Sequence, residues 1–314
     1  MQHREEGTNS YYKYLVFVNL VLIFRLVYNF LQKIIAYPDT FKQLNCGEVL
    51  ITQYNCPLEN AKQDLWSHHN YFVYVLEGKK TWHTVAGSFL MMKDDCLFVK
   101  KGASIVEQFF DGEFCVMIFF VPDHFVCNTL KEKMEPSQTK PTSDLRPAFR
   151  IQNDLYLHTF FASMLPYFSS PLQPDQHLLE LKFKELIWNV ALNPANQEFI
   201  SYFCSLHQAP SLEKLKRVME DNYCYNLPLS AFAELCDRSL AAFKRDFEKC
   251  FQSSPGKWLM NKRLEQAKLL LTHTEKAVGE VAFELGFENL SHFSKAFKTK
   301  FNHTPVSLRQ KETA

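Results

Sequence analysis

Residues 232–271 read FAELCDRSLAAFKRDFEKCFQSSPGKWLMNKRLEQAKLLL, and residues 278–309 read VGEVAFELGFENLSHFSKAFKTKFNHTPVSLR. Laid over each other, the two stretches repeat. Phe243, Phe247, Phe251 and Pro255 return fifty positions later as Phe293, Phe297, Phe301 and Pro305. Leu235 aligns with Leu285, and Ala233 with Ala282 one position out of step. A phenylalanine every fourth residue marks one face of an α-helix. Each such helix follows a short Ala-containing helix and a tight turn, which predicts two helix-turn-helix units in tandem. Units of this kind place their second helix in the major groove of DNA.

The flanking residues extend the pattern. Ser211–Tyr223 reads as a helix with Ser211 as N-cap and Leu212, Leu215, Val218 and Met219 on one face. Pro228–Cys236 then forms a short helix, Asp237-Arg238 turns, and Ser239 caps a helix running to Cys250. With the phenylalanines inward, Ala241, Lys244, Arg245 and Glu248 face outward. Ser254-Pro255 starts a long helix to about Leu271. Its ~17 residues span ~26 Å, a strut suited to readers in grooves ~34 Å apart. In the second unit Val278, Val281, Ala282 and Leu285 bury a short helix, and Gly286-Phe287 turns. Gly286 permits a left-handed conformation that Cys236 would adopt only at a cost. An extra residue in this turn accounts for the offset of Ala282. Asn289 or a neighbour caps the second outer helix, which presents Leu290, Ser291, His292, Ser294 and Lys295, and Thr304-Pro305 starts a last short helix.

Composition sets the frame around this region. A chain of 314 residues, 46% apolar and 22% charged, is long enough for two or three soluble domains. Aromatic residues reach 15%, with 29 Phe, so the cores are rich in rings. The net charge of +1 hides an asymmetry: residues 211–314 carry 17 Lys and Arg against 13 Asp and Glu, the remainder 18 against 21. A basic module beside an acidic one suits nucleic-acid binding by the basic part alone. Nine cysteines without a CxxC pair fit a reducing cytoplasm and argue against both disulfides and zinc. Leu15–Leu31 is an apolar run interrupted by Asn19, Arg25 and Asn29. Arg25 is costly in a spanning helix and no small-residue cleavage site follows, so a non-membrane reading is favoured. The segment is either an amphipathic or buried helix, or upstream sequence joined by a wrongly chosen start.

Between Glu48 and Val121, short apolar runs alternate with turn residues. The runs are Glu48–Tyr54, Tyr71–Leu76, Lys80–Val85, Phe89–Met92, Cys96–Val99, Ser104–Phe109 and Phe114–Phe120. Glu77-Gly78, Ala86-Gly87, Lys101-Gly102 and Asp111-Gly112 punctuate them, as an all-β barrel or sandwich needs. Asp111-Gly112 is expected to close a hairpin, and Pro122-Asp123 to end the strands. The polar, proline-rich residues 136–147 read as an exposed loop. Helical spacing follows over Asn153–Tyr167, Asp175–Leu192 and Ala195–His207, broken by Pro166, Pro171, Pro174 and Pro194, with Gln208-Ala209-Pro210 as a linker. Leu178, Leu179, Leu181, Phe183, Leu186 and Ile187 exceed what a lone helix hides, so they either dimerise the chain or pack on the β-domain.

The repeated segment resembles the C-terminal domain of AraC-type transcriptional regulators, over about residues 211–312. Gly279, Cys236-Asp237 and Asn302 depart slightly from the family pattern, trimming helix propensity and turn comfort. The resemblance implies that Ala241, Lys244 and Arg245 approach bases in one groove, and Ser291, His292, Ser294 and Lys295 in the next. An arginine can bond guanine O6 and N7 together, which makes Arg245 the first choice for a specific contact. Lys249, Lys298 and Lys300 are better placed for phosphate, though a solvated face is the plainer role for such lysines. The β-rich half looks like the cupin-type barrel often found ahead of such modules. YFVYVLEGKK and LFVKKGA are similar to regulators related to type III secretion activators, whose first domain serves self-association or a protein partner.

Cupins ligate metal through a His-x-His, a Glu and a later His. Here His68 and His69 are adjacent, so in a strand they would point to opposite faces, and no histidine lies between His83 and His124. No metal, cofactor or catalytic residue is therefore assigned, and one of the pair is expected to be structural or ligand-lining. Trp66, Tyr71, Tyr74, Trp82 and Phe98 line either a ligand pocket or, more simply, the core.

These observations predict an α+β chain with four parts. Residues 1–40 form an apolar N-terminal segment, 41–135 a cupin-like regulatory β-barrel, 136–209 a helical connector that can dimerise, and 210–314 an all-α domain with two helix-turn-helix units. The expected function is a cytoplasmic bacterial transcriptional activator that binds double-stranded DNA and works with RNA polymerase, under a small-molecule effector or regulatory protein. The alternative is a metal-dependent cupin-type enzyme with an accessory DNA-binding domain, which the missing histidine pattern disfavours. A structural nucleic-acid-binding protein would need a stronger, less organised positive charge.

Overall fold

The computed structural model describes residues 27–55, 62–109, 112–132, 146–170, 172–208 and 211–312. Two compact units emerge: Tyr28–Asn222 together with Ser230–Asp246, and Tyr223–Leu229 together with the chain from Phe247. The apolar N-terminal run before Val27, the loop at 136–145, Asp111 and the Ala209-Pro210 linker lie outside the described residues.

The first unit begins with β1 (Tyr28–Asn29), α1 (Phe30–Ala36), β2 (Lys42–Cys46), β3 (Val49–Asn55), β4 (Lys62–Ser67) and β5 (Asn70–Glu77). There follow β6 (Lys79–Thr84), β7 (Gly87–Met92), β8 (Cys96–Val99), β9 (Gly102–Gln108) and β10 (Cys115–Val121). They build two open sheets rather than a closed barrel, one ordered β1-β4-β9-β6-β7 and the other β11-β8-β5-β10-β3-β2, where β11 is Ala148–Ile151. The central strand β10 explains the arrangement. Its sequence CVMIFFV is apolar at almost every position because both of its faces are covered. Val116, Ile118 and Phe120 point into the core that also holds Leu65, Trp82, Met91 and Val106 of the other sheet. Met117, Phe119 and Val121 point the other way, onto helices.

Those helices are α2 (Asp123–Lys131), α3 (Leu155–Ser169), α4 (Gln176–Leu192) and α5 (Gln197–Gln208). Phe160, Phe161, Phe183, Phe199 and Phe203 face the sheet, and Tyr74 stacks on Phe161 at 3.9 Å between centroids. Leu179, Phe183, Leu186 and Ile187 are thus core residues, and of that apolar cluster only Leu178 and Leu181 stay exposed.

Several local expectations need correction. β9 and β10, the described strands either side of the expected Asp111-Gly112 turn, do not pair as a hairpin: β9 pairs with β4 and β6, whereas β10 pairs with β3 and β5. The chain changes sheets there, as it does at Gly78, whose φ of +78° and contact with Glu113 leave no room for a side chain. Hairpin turns lie instead at Gly47-Glu48, where Cys46 faces Val49 across β2 and β3, and at Val85-Ala86, where Thr84 faces Gly87 across β6 and β7. Pro166 does not break α3, which runs through it to Ser169, because five buried side chains anchor the helix to the sheet. Strands β2 and β4 were not legible, since KQLNC and KQDLWS begin with polar residues, and β11, α1 and α2 were not assigned from the sequence either.

The remaining helices are α6 (Ser211–Asn222), α7 (Leu229–Leu235), α8 (Leu240–Phe251), α9 (Pro255–His273), α10 (Val278–Glu284), α11 (Leu290–Phe301) and α12 (Pro305–Glu312). In the second unit Leu264, Ala267 and Leu271 of α9 meet Val281, Ala282, Leu285, Phe287, Phe293, Phe297 and Leu308 in one core. Among the described residues no helix is long and apolar enough to cross a membrane.

The two turns correct the alignment of the repeat. Arg238 N donates to Ala233 O as Phe287 N does to Ala282 O, and Asp237 N to Glu234 O as Gly286 N does to Phe283 O. The counterpart of Gly286 (φ +76°) is therefore Asp237 (φ +54°), not Cys236, and Leu235 does not correspond to Leu285. The extra residue, Glu288, falls between the turn and the cap. A short polar side chain tolerates the left-handed region better than most, which lets aspartate stand where the second unit uses glycine. Asn302 does the same after α11, at φ +62°.

Candidate DNA interface

Each helix-turn-helix unit holds its outer helix by fully buried rings. On α8 Phe243 and Phe247 are buried, and Ala241, Lys244, Arg245, Glu248 and Lys249 are exposed. On α11 Phe293 and Phe297 are buried, Ser291, His292, Lys295 and Lys298 are exposed, and Ser294 is half-buried. The predicted base-facing residues thus lie together on one outward strip of each helix.

Both helix starts are capped. Ser239 Oγ accepts from Ala242 N at 3.3 Å, and Asn289 Oδ1 accepts from Ser291 N at 2.8 Å and His292 N at 3.1 Å. The Arg245 side chain is two-thirds exposed and only grazes Asp246, at 3.4 Å, because Asp246 is engaged by Arg238. Its guanidinium is therefore available to a base edge. Lys300 is not available to phosphate in the same way. It donates to Asn261 O at 3.0 Å and to Glu265 at 2.9 Å, which ties α11 to α9. Among the described residues nothing tethers Lys298 in this way, and it stays exposed in the last turn of α11, one of the cations that favour a helix C-terminus.

The first unit also contains a cavity of about 870 Å³. His68, His69, Lys100, Lys101, Tyr202 and Asp237 are among its lining residues. Lys101 Nζ lies 2.7 Å from Asp123 and 3.2 Å from Asp237, which Lys214 also holds. His68 Nδ1 stands 3.3 Å from Glu234 of α7. The turn of the first helix-turn-helix unit therefore forms part of the cavity wall. Sequence reasoning missed Lys100, Lys101 and Asp237; the only signal was a pair of lysines closing the apolar strand CLFV.

The histidine pair behaves differently from expectation. His68 and His69 occupy a bend between β4 and β5 rather than a strand, so both rings line the same cavity, 4.4 Å apart. By contrast Tyr71, Tyr74, Trp82 and Phe98 are core residues, and the space beside Trp82 between the sheets is only about 50 Å³. That space holds little more than a water or two. Among the described residues no group of three or more His, Cys, Asp or Glu side chains could hold a metal ion.

Burial shapes the titration of the cavity wall. It holds the Lys100 ammonium down at about 8, under the Tyr202 ring at 4.7 Å, and pushes the Asp221 carboxyl up to about 6. It also holds His69 down at about 4, helped by the neighbouring His68. A histidine depressed in the fold takes up protons first in the unfolded chain. Stability is therefore lost as pH falls from about 6.5 to about 4, the window between the two His69 values. Asp221 acts oppositely, since its raised value favours the fold on acidification. His69→Asn is expected to flatten the acid-side loss in an unfolding series across that window; an unchanged slope would remove His69 as its source.

Both parts of the chain are similar to known proteins. Residues 70–202 match the ExsA N-terminal regulatory domain, and residues 232–311 match a helix-turn-helix domain. The virulence regulon transcriptional activator VirF of Yersinia enterocolitica is 24% identical over 246 residues, 75% of this chain and 87% of that one. The thermoregulatory protein LcrF of Yersinia pestis is 30% identical over 132 residues, 42% of this chain and 48% of that one. Among solved structures, an apo ToxT variant from Vibrio cholerae aligns over 85% of this chain and 98% of its own, at 14% identity and a TM-score of 0.43. The chain thus carries a helix-turn-helix domain of the AraC type behind a β-rich domain of the ExsA N-terminal type, and the relatives it resembles are AraC-type transcriptional regulators.

Proposed function

We propose that the chain is a sequence-specific transcriptional activator that reads two successive major grooves of double-stranded DNA. Ala241, Lys244 and Arg245 contact one half of the site, and Ser291, His292, Ser294 and Lys295 the other. Lys249 and Lys298 contact phosphate. The observation that carries this reading is the pair of outward strips, each oriented by fully buried phenylalanines on its inner side. The named relatives VirF and ExsA are transcriptional regulators, and VirF is called an activator, which supports the sign of regulation. Activation in the cytoplasm then requires contact with RNA polymerase at the promoter.

The N-terminal domain sets activity through the large cavity. A small effector bound there touches Lys101 and Asp237, and so reaches the turn of the first reader. The filled interior between the sheets supports this cavity over a site inside a barrel. Self-association through the exposed Leu178 and Leu181 of α4 completes the reading. Deleting the gene and mapping both occupancy and transcripts tests it. Transcripts beside occupied sites should fall; occupancy without sequence preference, or unchanged transcripts, would contradict the proposal.

A further inference from the structure

Arg263 sits near the middle of α9, and its guanidinium is spent on the chain itself. Nε donates to Tyr223 O at 2.6 Å, Nη2 to Tyr225 O at 2.7 Å, and Nη1 to Gly286 O at 3.1 Å. Three segments meet on one side chain: the stretch leading into α7, the long helix α9, and the turn of the second helix-turn-helix unit. The fit is tight. A Cβ on Gly286 would lie 2.6 Å from Cys224 O and 3.2 Å from Arg263 Cζ, at a φ of +76° that L residues rarely adopt. Asn226 closes the same joint from the other side by donating to Glu288 Oε1. Three residues after Gly286 comes Asn289, the N-cap of α11.

A guanidinium presents its donors in a fixed plane, so it sets direction as well as distance. A lysine ammonium offers neither the plane nor the spread to serve three carbonyls at once. We propose that Arg263 is a positioning residue for the second reader. By fixing the Gly286 carbonyl against residues 223–225, it sets the direction in which α11 leaves its turn, and so the aim of Ser291, His292 and Lys295 at the bases. The inference rests on the assignment of α11 as a DNA-reading helix.

The test uses the full chain and a duplex that the wild type selects from a random pool, together with two derivatives in which one or the other half-motif is scrambled. Wild type should lose about tenfold or more in affinity on either scrambling. Arg263→Lys should lose about tenfold on the intact duplex, with no further loss when the second half is scrambled and undiminished sensitivity to the first. Gly286→Ala, which strains the same joint, should give the same pattern, and thermal unfolding is recorded alongside. Arg263→Lys that keeps both sensitivities, or loses both equally, overturns the proposal. Unfolding of both variants does so too, because it marks Arg263 as a fold element only. A wild type indifferent to the second half-motif overturns the two-reader assignment itself, and the positioning role with it.

Discussion

Replacing Phe297 by alanine should lower stability by about 3–5 kcal/mol, the usual cost of emptying a phenylalanine site in a packed core. Phe297 is fully buried and meets Phe293, Phe301 and His303 at ring-centroid distances of 5.6, 4.7 and 5.9 Å. The core around it is small, so little surrounding structure can collapse into the gap. Chemical denaturation of the full chain checks this, and a loss below about 1 kcal/mol would show that the ring is not the anchor of α11. Because the ring fixes which face of α11 turns outward, DNA binding should fail with the fold. Lys295→Ala on the opposite face should leave stability within about 0.5 kcal/mol while weakening binding, as exposed substitutions usually do.

Arg245→Ala is expected to cost about 1–3 kcal/mol of discrimination, roughly 5- to 150-fold in affinity for the selected site over a site changed at one base pair. The argument is geometric. Arg245 stands on the strip opposite Phe243 and Phe247, is two-thirds exposed, and has only a 3.4 Å contact with an already engaged Asp246. A competition assay at fixed salt measures the effect, because phosphate contacts make affinities comparable only at one ionic strength. The loss should concentrate on a guanine-containing position. A uniform loss across all sequences would recast Arg245 as a phosphate contact.

The C-terminal module was legible because its signal is periodic. Phenylalanines at i, i+4 and i+8, the first two fully buried and the third half-buried, declare a helix face, and Pro255, Asn289 and Pro305 mark helix starts. What the alignment missed was a hydrogen-bond fact. Only the turn bonds equate Asp237 with Gly286, since aspartate does not announce a left-handed residue as glycine does. In the β-domain, apolar runs located the central strands, but pairing partners are non-local, so a turn dipeptide could not say whether the chain stays in its sheet. The cavity was hidden for a related reason. His68, Lys101, Tyr202 and Asp237 come from separated positions, and only the fold assembles them.

The central claim is that one chain carries two unlike readers, Ala-Lys-Arg and Ser-His-Ser-Lys, on equivalent faces. Selection of bound duplexes from a random pool, repeated with Arg245→Ala and Lys295→Ala, tests it most directly. The wild type should yield an asymmetric site whose two motifs are centred about 10–10.5 base pairs apart, with Arg245→Ala relaxing one motif and Lys295→Ala the other. A single motif, a palindrome read identically on both sides, or two substitutions that relax the same positions would contradict it.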